Sequence, residues 1–121
     1  MVYNRGMIIN DLTAKRCVAC EGGMPALTPE EVTAYLSHLQ TPWETEDDSK
    51  KIKKIFIFKD FRESLAFVNK VGALAEEEGH HPDLHLFYGR VIVELSTHAV
   101  KGLSENDFIL AAKIEKIAAI N

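Results

Sequence analysis

Histidine is the residue type whose spacing in this chain most clearly indicates chemistry. The chain has five histidines, and four of them lie in the stretch EEEGHHPDLHLFYGRVIVELSTHAVKGLSENDF of residues 76–108, where His80, His81 and His98 flank a predicted hairpin and His85 lies within it. The imidazole has an unperturbed pKa of about 6.5, so it can donate or accept a proton near neutral pH. Several histidines at one site therefore suit either general acid–base catalysis or metal binding.

The string HHxxxH formed by His80, His81 and His85 represents the metal-binding alternative. Adjacent histidines seldom chelate one ion, and zinc sites more often place two histidines on a helix or add cysteine and carboxylate ligands. We therefore expect a site without metal. His85, on a strand, and His38, on the outer side of the first helix, are expected to have structural roles.

The two cysteines of the chain, Cys17 and Cys20, form the motif CVAC. A CxxC motif can be half of a zinc site or a redox pair, but zinc needs further ligands and the redox motif a thioredoxin-like βαβ unit. Neither context is visible, so two reduced thiols are expected. Metal binding, redox chemistry and a disulfide stay open as alternatives.

Composition limits the class of protein. The 121 residues suit one domain, and 46% hydrophobic and 26% charged residues are typical of a folded globular protein. A net charge of −4 disfavours direct nucleic-acid binding, which needs clustered lysine and arginine. No apolar run reaches the roughly 20 residues of a membrane span, and the N-terminus lacks a signal-peptide core. We expect a cytoplasmic protein with no membrane partner.

The elements that must position these histidines begin after an N-terminal extension. Residues 1–27 are predicted to pack on the domain as a loop, because Gly22, Gly23 and Pro25 interrupt regular structure. The domain is expected to span residues 28–121. Its first helix is predicted to begin at Thr28, where Thr28 and Glu31 form a capping box, and to end before Pro42.

A hairpin and a long helix follow. WETEDD and KKIKKIFIFKD are predicted strands joined by a polar turn around residues 47–50. Asp60 and Glu63 then cap a helix that Gly79 ends. Its apolar residues with helical spacing are Phe61, Leu65, Val68, Val71 and Ala75.

Two further strands, DLHLFY and VIVELSTH, turn near Gly89 and Arg90, and the second alternates buried and exposed positions. A last helix is capped by Ser104 and Asp107. It is apolar over more than a narrow stripe, with Phe108, Leu110, Ala111, Ile114, Ile117 and Ile120. The surplus apolar surface predicts a contact between this helix and another subunit.

The order α-β-β-α-β-β-α predicts an α+β fold, a four-stranded antiparallel sheet with three helices on one face. In this arrangement His98 ends the fourth strand, while His80 and His81 precede the third. The start of one strand of a hairpin lies beside the end of the next, so the three histidines are expected to converge.

The same residues carry a resemblance to a known family. The pattern Glu76-x3-His80-His81-Pro82, followed by Tyr88, His98 and Asp107, resembles the signature of the pterin-4a-carbinolamine dehydratases. The resemblance also covers Trp43, FIFKDF and LSTHAVKGLSENDFILAAKIEKI, and so spans about residues 28–118. Residues 1–27 resemble extensions of bacterial members. Leu84 and His85 depart from the family, whose members often carry tryptophan and another aromatic residue there.

The resemblance implies an activity. The family removes water from 4a-hydroxytetrahydrobiopterin to give quinonoid dihydropterin, which recycles the cofactor of aromatic amino acid hydroxylases. It implies acid–base roles for His80 and His98 and a binding or assisting role for His81. Pro82 would fix the turn, and backbone groups of Ser96 and Thr97 would hold the pterin. For Glu76 and Asp107 we expect structural roles, in a helix and a cap.

The resemblance also bears on partners. It implies a pterin substrate, no cofactor of the enzyme's own, a homodimer or homotetramer, and a functional link to phenylalanine hydroxylase. The alternative function is that of a non-enzymatic regulatory or dimerisation partner, because animal relatives bind a homeodomain transcription factor.

Overall fold

The computed structural model describes residues 12–18 and 24–120. It confirms the predicted α+β fold and the order of its helices and strands. The helices and strands are α1 (Pro29–Leu36), β1 (Glu44–Glu46), β2 (Lys51–Ile57), α2 (Phe61–Glu78), β3 (Asp83–Leu86), β4 (Arg90–Leu95) and α3 (Glu105–Ile120). Two short 3₁₀ helices, Leu12–Ala14 and His98–Val100, precede α1 and α3. None of the described helices is long and apolar enough to cross a membrane.

The four strands form one antiparallel sheet in the order β1-β2-β4-β3. On β4 the alternation predicted from the sequence is confirmed, because Val91, Val93 and Leu95 are all buried. Pairing of Asp83 with Glu94 sets the register between β3 and β4. The residues just before β3, which include His80 and His81, therefore lie beside the end of β4, as predicted.

Local capping signals correctly located the starts of the first two helices. The capping box at α1 is present, with Glu31 N–H donating to Thr28 Oγ1 and Thr28 N–H donating to Glu31 Oε1. At α2, Glu63 N–H donates to Asp60 Oδ1. Because α1 ends at Leu36, His38 lies in the turn after the helix rather than on it.

Helix α2 buries a face that overlaps only in part with the one its apolar spacing suggested, because Val68 is partly buried against the core. Phe61 and Leu65 are exposed, whereas Val71 and Ala75 are buried as expected. The buried residues of α2 are Ser64, Phe67, Val71, Ala75 and Glu78. Ser64 is tolerated inside because its hydroxyl donates to the backbone carbonyls of Asp60 and Tyr88.

The prediction that α3 leaves apolar surface for another subunit is wrong for residues 108–114. Phe108, Leu110, Ala111 and Ile114 are fully buried within the chain itself. The 3₁₀ helix of the N-terminal segment covers part of this apolar surface of α3, and its Leu12 is 2% exposed. The remainder includes α1, where Tyr35 stacks on Phe108 with 5.0 Å between ring centroids.

The described part of the N-terminal extension is held by polar contacts as well. Lys15 Nζ forms a salt bridge of 2.8 Å with Glu105 Oε2, and Cys17 N–H donates to Glu78 Oε1 over 2.8 Å. Cys17 is a free thiol. Cys20, Gly22 and Gly23 lie outside the described residues. The prediction that both thiols of the CxxC motif are reduced therefore stays a prediction.

A second buried carboxylate fastens the loop after α1 to the other end of α3. Glu115 is 6% exposed. It accepts hydrogen bonds from the backbone N–H groups of Gln40 and Thr41, from the Thr41 hydroxyl and from Trp43 Nε1–H. The buried Trp43 indole thus has its one donor satisfied.

Candidate active site

His80 is placed by the end of α2. Gly79 closes the helix with φ of 69°, a left-handed conformation that glycine adopts at little cost. The chain then turns, and His80 Nε2–H donates to Asp107 Oδ1 over 2.6 Å. The His80 side chain is 12% exposed. Because Nε2 carries the hydrogen of this bond, Nδ1 is the ring atom that remains for exchange of a proton with a ligand.

Asp107 is a fully buried carboxylate at the start of α3. Besides the His80 bond, its Oδ2 accepts from Thr97 Oγ1–H over 2.7 Å and from Ser104 N–H over 3.0 Å. The bond to Ser104 N–H is the expected helix cap. The bond to His80 was not predicted, because the two residues are 27 positions apart, one just after α2 and the other in the first turn of α3. The only sequence signal for it was the family signature, which contains both residues.

His98 lies outside β4, so the prediction that it ends this strand is wrong. The ladder stops at Leu95, and Thr97 instead pairs with Gly102 through Thr97 N–H to Gly102 O, 2.7 Å. This pairing folds the chain into a 3₁₀ helix that begins at His98. The His98 side chain is exposed, and it makes no hydrogen bond or ion pair within the described part of the chain.

A cavity of about 450 Å³ opens beside this loop. It is lined by Asp47, Asp48, Lys50, Lys51, Ser96, Thr97, His98, Lys101 and Gly102. The structure thus brings together three predicted site residues, Ser96, Thr97 and His98. Thr97 N–H is already donated to Gly102, so of the two predicted backbone groups only Ser96 N–H can donate to a ligand there.

Another part of the cavity wall comes from the turn between β1 and β2. Asp47, Asp48 and Ser49 have φ of 53°, 53° and 65°, a left-handed conformation that disfavours residues with a Cβ. Gly102 is required by a close approach, because a Cβ there would lie 2.8 Å from Ala26 Cβ. The shape of this wall therefore depends on backbone geometry more than on side-chain packing.

The three histidines of the HHxxxH string lie beside three different carboxylates. His80 contacts Asp107, the exposed His81 contacts Glu76 Oε2 over 2.6 Å, and His85 Nε2 lies 3.6 Å from Glu94 Oε1. Among the described residues no three His, Cys, Asp or Glu side chains are grouped to hold a metal ion. His80, His81 and Pro82 are not among the residues that line the cavity, and His80 is connected to it through Asp107 and Thr97.

Comparison with known proteins agrees with these features. Residues 25–117 match the sequence model of the family described as pterin 4 alpha carbinolamine dehydratase. A protein of Methylococcus capsulatus, named provisionally as a pterin-4-alpha-carbinolamine dehydratase, is 50% identical over 108 residues, 89% of this chain and 94% of the relative. One of Alkaliphilus metalliredigens with the same name is 44% identical over 89% of this chain and 96% of the relative.

Solved structures are also similar to this chain. A crystal structure described as a transcriptional coactivator/pterin dehydratase from Brucella melitensis covers 77% of this chain and 98% of its own, with a TM-score of 0.72 and 35% identity. A pterin dehydratase-like protein described as a RuBisCO assembly factor in the alpha-carboxysome shares the fold, with a TM-score of 0.57 and 24% identity. On the family match and the curated relatives together, the chain belongs to the pterin 4 alpha carbinolamine dehydratase family.

Proposed function

We propose that this protein dehydrates 4a-hydroxytetrahydrobiopterin to quinonoid dihydropterin by acid–base catalysis of His80 and His98, without a metal. The observation that carries the proposal is the arrangement around the cavity. His98 lines it, and Thr97, in the same wall, is hydrogen-bonded to Asp107, which in turn holds His80. Family membership supports the same reaction.

The reaction needs two proton transfers. An acid protonates the 4a-hydroxyl, the C–O bond breaks and water leaves, while a base takes a proton from a ring nitrogen of the pterin. His98 offers both ring nitrogens, whereas His80 offers Nδ1 because Asp107 holds Nε2. In the proposal Ser96 N–H donates to the pterin amide edge, Pro82 fixes the turn before β3, and His81, held by Glu76, assists binding.

Stopped-flow spectroscopy of chemically generated 4a-hydroxytetrahydropterin tests the activity directly. We expect the purified protein to accelerate dehydration over the spontaneous reaction in proportion to its concentration. His38→Ala is a matched control, because His38 Nδ1 bonds only the neighbouring Ala34 O and Ser37 Oγ and should leave the rate unchanged. A rate equal to the spontaneous one with folded wild-type protein would refute the proposed function.

Chelation tests the absence of a metal from the mechanism. We expect dehydratase activity to survive exhaustive dialysis against a chelator, because the described residues contain no group of three His, Cys, Asp or Glu side chains that could hold an ion. Activity and metal content by mass spectrometry are measured on the same sample. One equivalent of zinc per chain, with activity lost on its removal and restored on its return, would show that the metal-free mechanism is wrong.

The biological setting follows from the reaction. The product retains the pterin ring for reduction, so the proposed role is to recycle the cofactor of an aromatic amino acid hydroxylase, with phenylalanine hydroxylase as the expected functional partner.

A regulatory or dimerisation role is the second candidate. The coactivator description of the Brucella melitensis relative favours it, and so do apolar side chains exposed on the outer face of β2 and on α2. These include Ile55, Ile57, Phe61 and Leu65, with Ile57 74% exposed. Such side chains suit a protein contact.

The same exposed residues indicate where a homodimer or homotetramer would form. We expect the wild type to sediment as an oligomer at micromolar concentration, and Phe61→Asp with Leu65→Asp to lower its mass, because a charge in an apolar interface is costly. Circular dichroism verifies the fold of the variant. A monomeric wild type would disprove oligomerisation, and an unchanged mass in the folded variant would exclude this face of α2 as the contact.

A further inference from the structure

The N-terminal segment of residues 15–18 touches the chain on both sides of the His80–Asp107 hydrogen bond. On the α2 side, Cys17 N–H donates to Glu78 Oε1, two residues before His80. On the α3 side, Val18 N–H donates to Asn106 Oδ1 over 3.0 Å, and Asn106 Nδ2 donates to Val18 O over 2.5 Å. Asn106 directly precedes Asp107. Two consecutive residues of the segment therefore bridge the last turn of α2, just before His80, and the first turn of α3, which contains Asp107.

Glu78 is well suited to anchor one end of this bridge. Its side chain is 2% exposed and also accepts a hydrogen bond from Lys113 Nζ over 2.7 Å. Burial alone would raise the pKa of Glu78, but the bonds from Lys113 and Cys17 N–H outweigh it and hold the pKa below its ordinary value. The carboxylate therefore stays charged near neutral pH and ties α2, α3 and the segment together.

Asn106 is equally well suited at the other end. It is 5% exposed, and its amide group pairs with both backbone groups of Val18. The Cys17 thiol adds a weak bond from Sγ to Asn106 O over 3.6 Å. Because Asn106 and Asp107 are consecutive in the first turn of α3, a shift of one moves the other.

We infer that Glu78 and Asn106 are positioning residues that, through the backbone of Cys17 and Val18, fix the separation of α2 and α3 and hence the His80–Asp107 hydrogen bond. The catalytic part of this inference rests on the proposed function. The segment thus acts as a clamp on the site from outside the cavity, whose lining includes neither Glu78 nor Asn106.

The physical reason is the sensitivity of proton transfer to geometry. A displacement of about 1 Å at a reacting group can cost roughly 10²-fold in rate. The bond to Asp107 also selects the His80 tautomer, so a longer bond weakens the preference for the proton on Nε2. Loosening the clamp is therefore expected to lower kcat while the binding of substrate, and so KM, changes little.

Two clamp variants and one control test the inference. Asn106→Ala removes both bonds to Val18. Glu78→Leu combined with Lys113→Met removes the acceptor for Cys17 N–H together with both charges, a replacement that is often neutral for stability. Glu115→Gln is the control, since Glu115 is a buried carboxylate that fastens another loop to α3, about 12 Å along the helix from Asp107.

Release of the segment is measured first, in a Cys20→Ser background. Burial and the nearby Glu78 carboxylate raise the pKa of Cys17 from 9.0 to about 12, so alkylation at pH 8 is expected to be about a thousandfold slower than for an unperturbed thiol. Asn106→Ala should accelerate alkylation at least tenfold, whereas Glu115→Gln should not. In the Glu78→Leu/Lys113→Met variant the loss of the Glu78 carboxylate itself lowers the pKa of Cys17, so release is shown there by acceleration that remains when rates are compared at equal thiolate fraction. Unchanged alkylation in folded clamp variants would show that Glu78 and Asn106 do not hold the segment.

The effect on the site is then measured in two independent ways. We expect the clamp variants to lower kcat by about tenfold with KM within about twofold, and to shift the ¹⁵N resonance of His80 Nε2. Glu115→Gln should change neither. Faster alkylation with an unchanged His80 resonance and unchanged kcat would overturn the inference. If Asn106→Ala does not fold, the double variant decides the question.

The ¹⁵N resonance of His80 Nε2 allows the positioning role to be tested even if the protein is not a dehydratase. If wild-type protein does not accelerate dehydration, the proposed function fails. The His80 Nε2 resonance then still shows whether releasing the segment disturbs the His80–Asp107 bond, and an undisturbed resonance overturns the positioning role.

Discussion

His98→Ala and His80→Ala are each expected to lower the enzyme-catalysed rate of dehydration by about 10²–10⁴-fold, the usual cost of losing a general acid or base. The fold should survive both changes. His98 is exposed and bonded to no described side chain, so its loss leaves no buried group unpaired. His80→Ala leaves the Thr97 and Ser104 donors on Asp107 Oδ2 but removes the donor of the buried Oδ1, so a folded but less stable variant is expected. Stopped-flow rates, corrected for the spontaneous reaction, give the effect.

His81→Ala gives a graded comparison, since His81 is exposed beside Glu76 and is assigned an assisting role. We expect its loss to be smaller than that of either catalytic histidine. Rates near wild type in both His80→Ala and His98→Ala, with circular dichroism unchanged, would eliminate the acid–base mechanism.

Asp107→Asn is expected to lower kcat by about 10²-fold and to reduce stability by about 1–2 kcal/mol. The three donors around Asp107 require acceptors on both carboxylate oxygens. An amide supplies one oxygen, and its NH₂ group would face a donor. If this NH₂ faces His80, the imidazole must move its proton to Nδ1, which is the wrong tautomer for the proposed role.

Urea unfolding measures the loss of stability in Asp107→Asn. The ¹⁵N spectrum of His80 shows which ring nitrogen carries the proton. Asp107→Ala should destabilise the fold more, by about 2–4 kcal/mol, because it also removes the helix cap. Asp83→Asn is the matched control, since Asp83 is an exposed carboxylate on β3. Wild-type kcat in Asp107→Asn would show that the His80–Asp107 bond does not matter for catalysis.

Features set by neighbouring residues could be predicted from the sequence. The capping box at Thr28 and Glu31, the stop at Gly79 and the alternation along β4 all depend on side chains within a few positions, and the structure confirms them. The order of elements followed from these signals and gave the correct fold class.

Features set by distant residues could not be predicted from local pattern. The apolar surface of α3 was assigned to another subunit because nothing in residues 105–120 shows that Leu12 and Tyr35 cover it. Spacing on α2 was compatible with two neighbouring faces, and bonds to Ser64 helped to decide between them.

The candidate site could likewise be predicted only in part. Residue types and the family signature singled out His80, His98 and Asp107, but not the bond that joins His80 to Asp107 or the pairing that takes His98 out of the strand. The His80–Asp107 bond joins residues 27 positions apart and is therefore a tertiary contact, whereas the Thr97–Gly102 pairing is a local turn that the alternation along β4 does not reveal.

The salt bridge between Lys15 and Glu105 also has a consequence for biosynthesis. The two residues are 90 positions apart, and translation at about 5–20 residues per second separates their synthesis by roughly 5 to 20 seconds. During that time Leu12 has no helix to cover. Leu12 therefore stays uncovered until α3 is synthesised, so the synthesis of α3, rather than that of the N-terminal segment, sets when this part of the core closes.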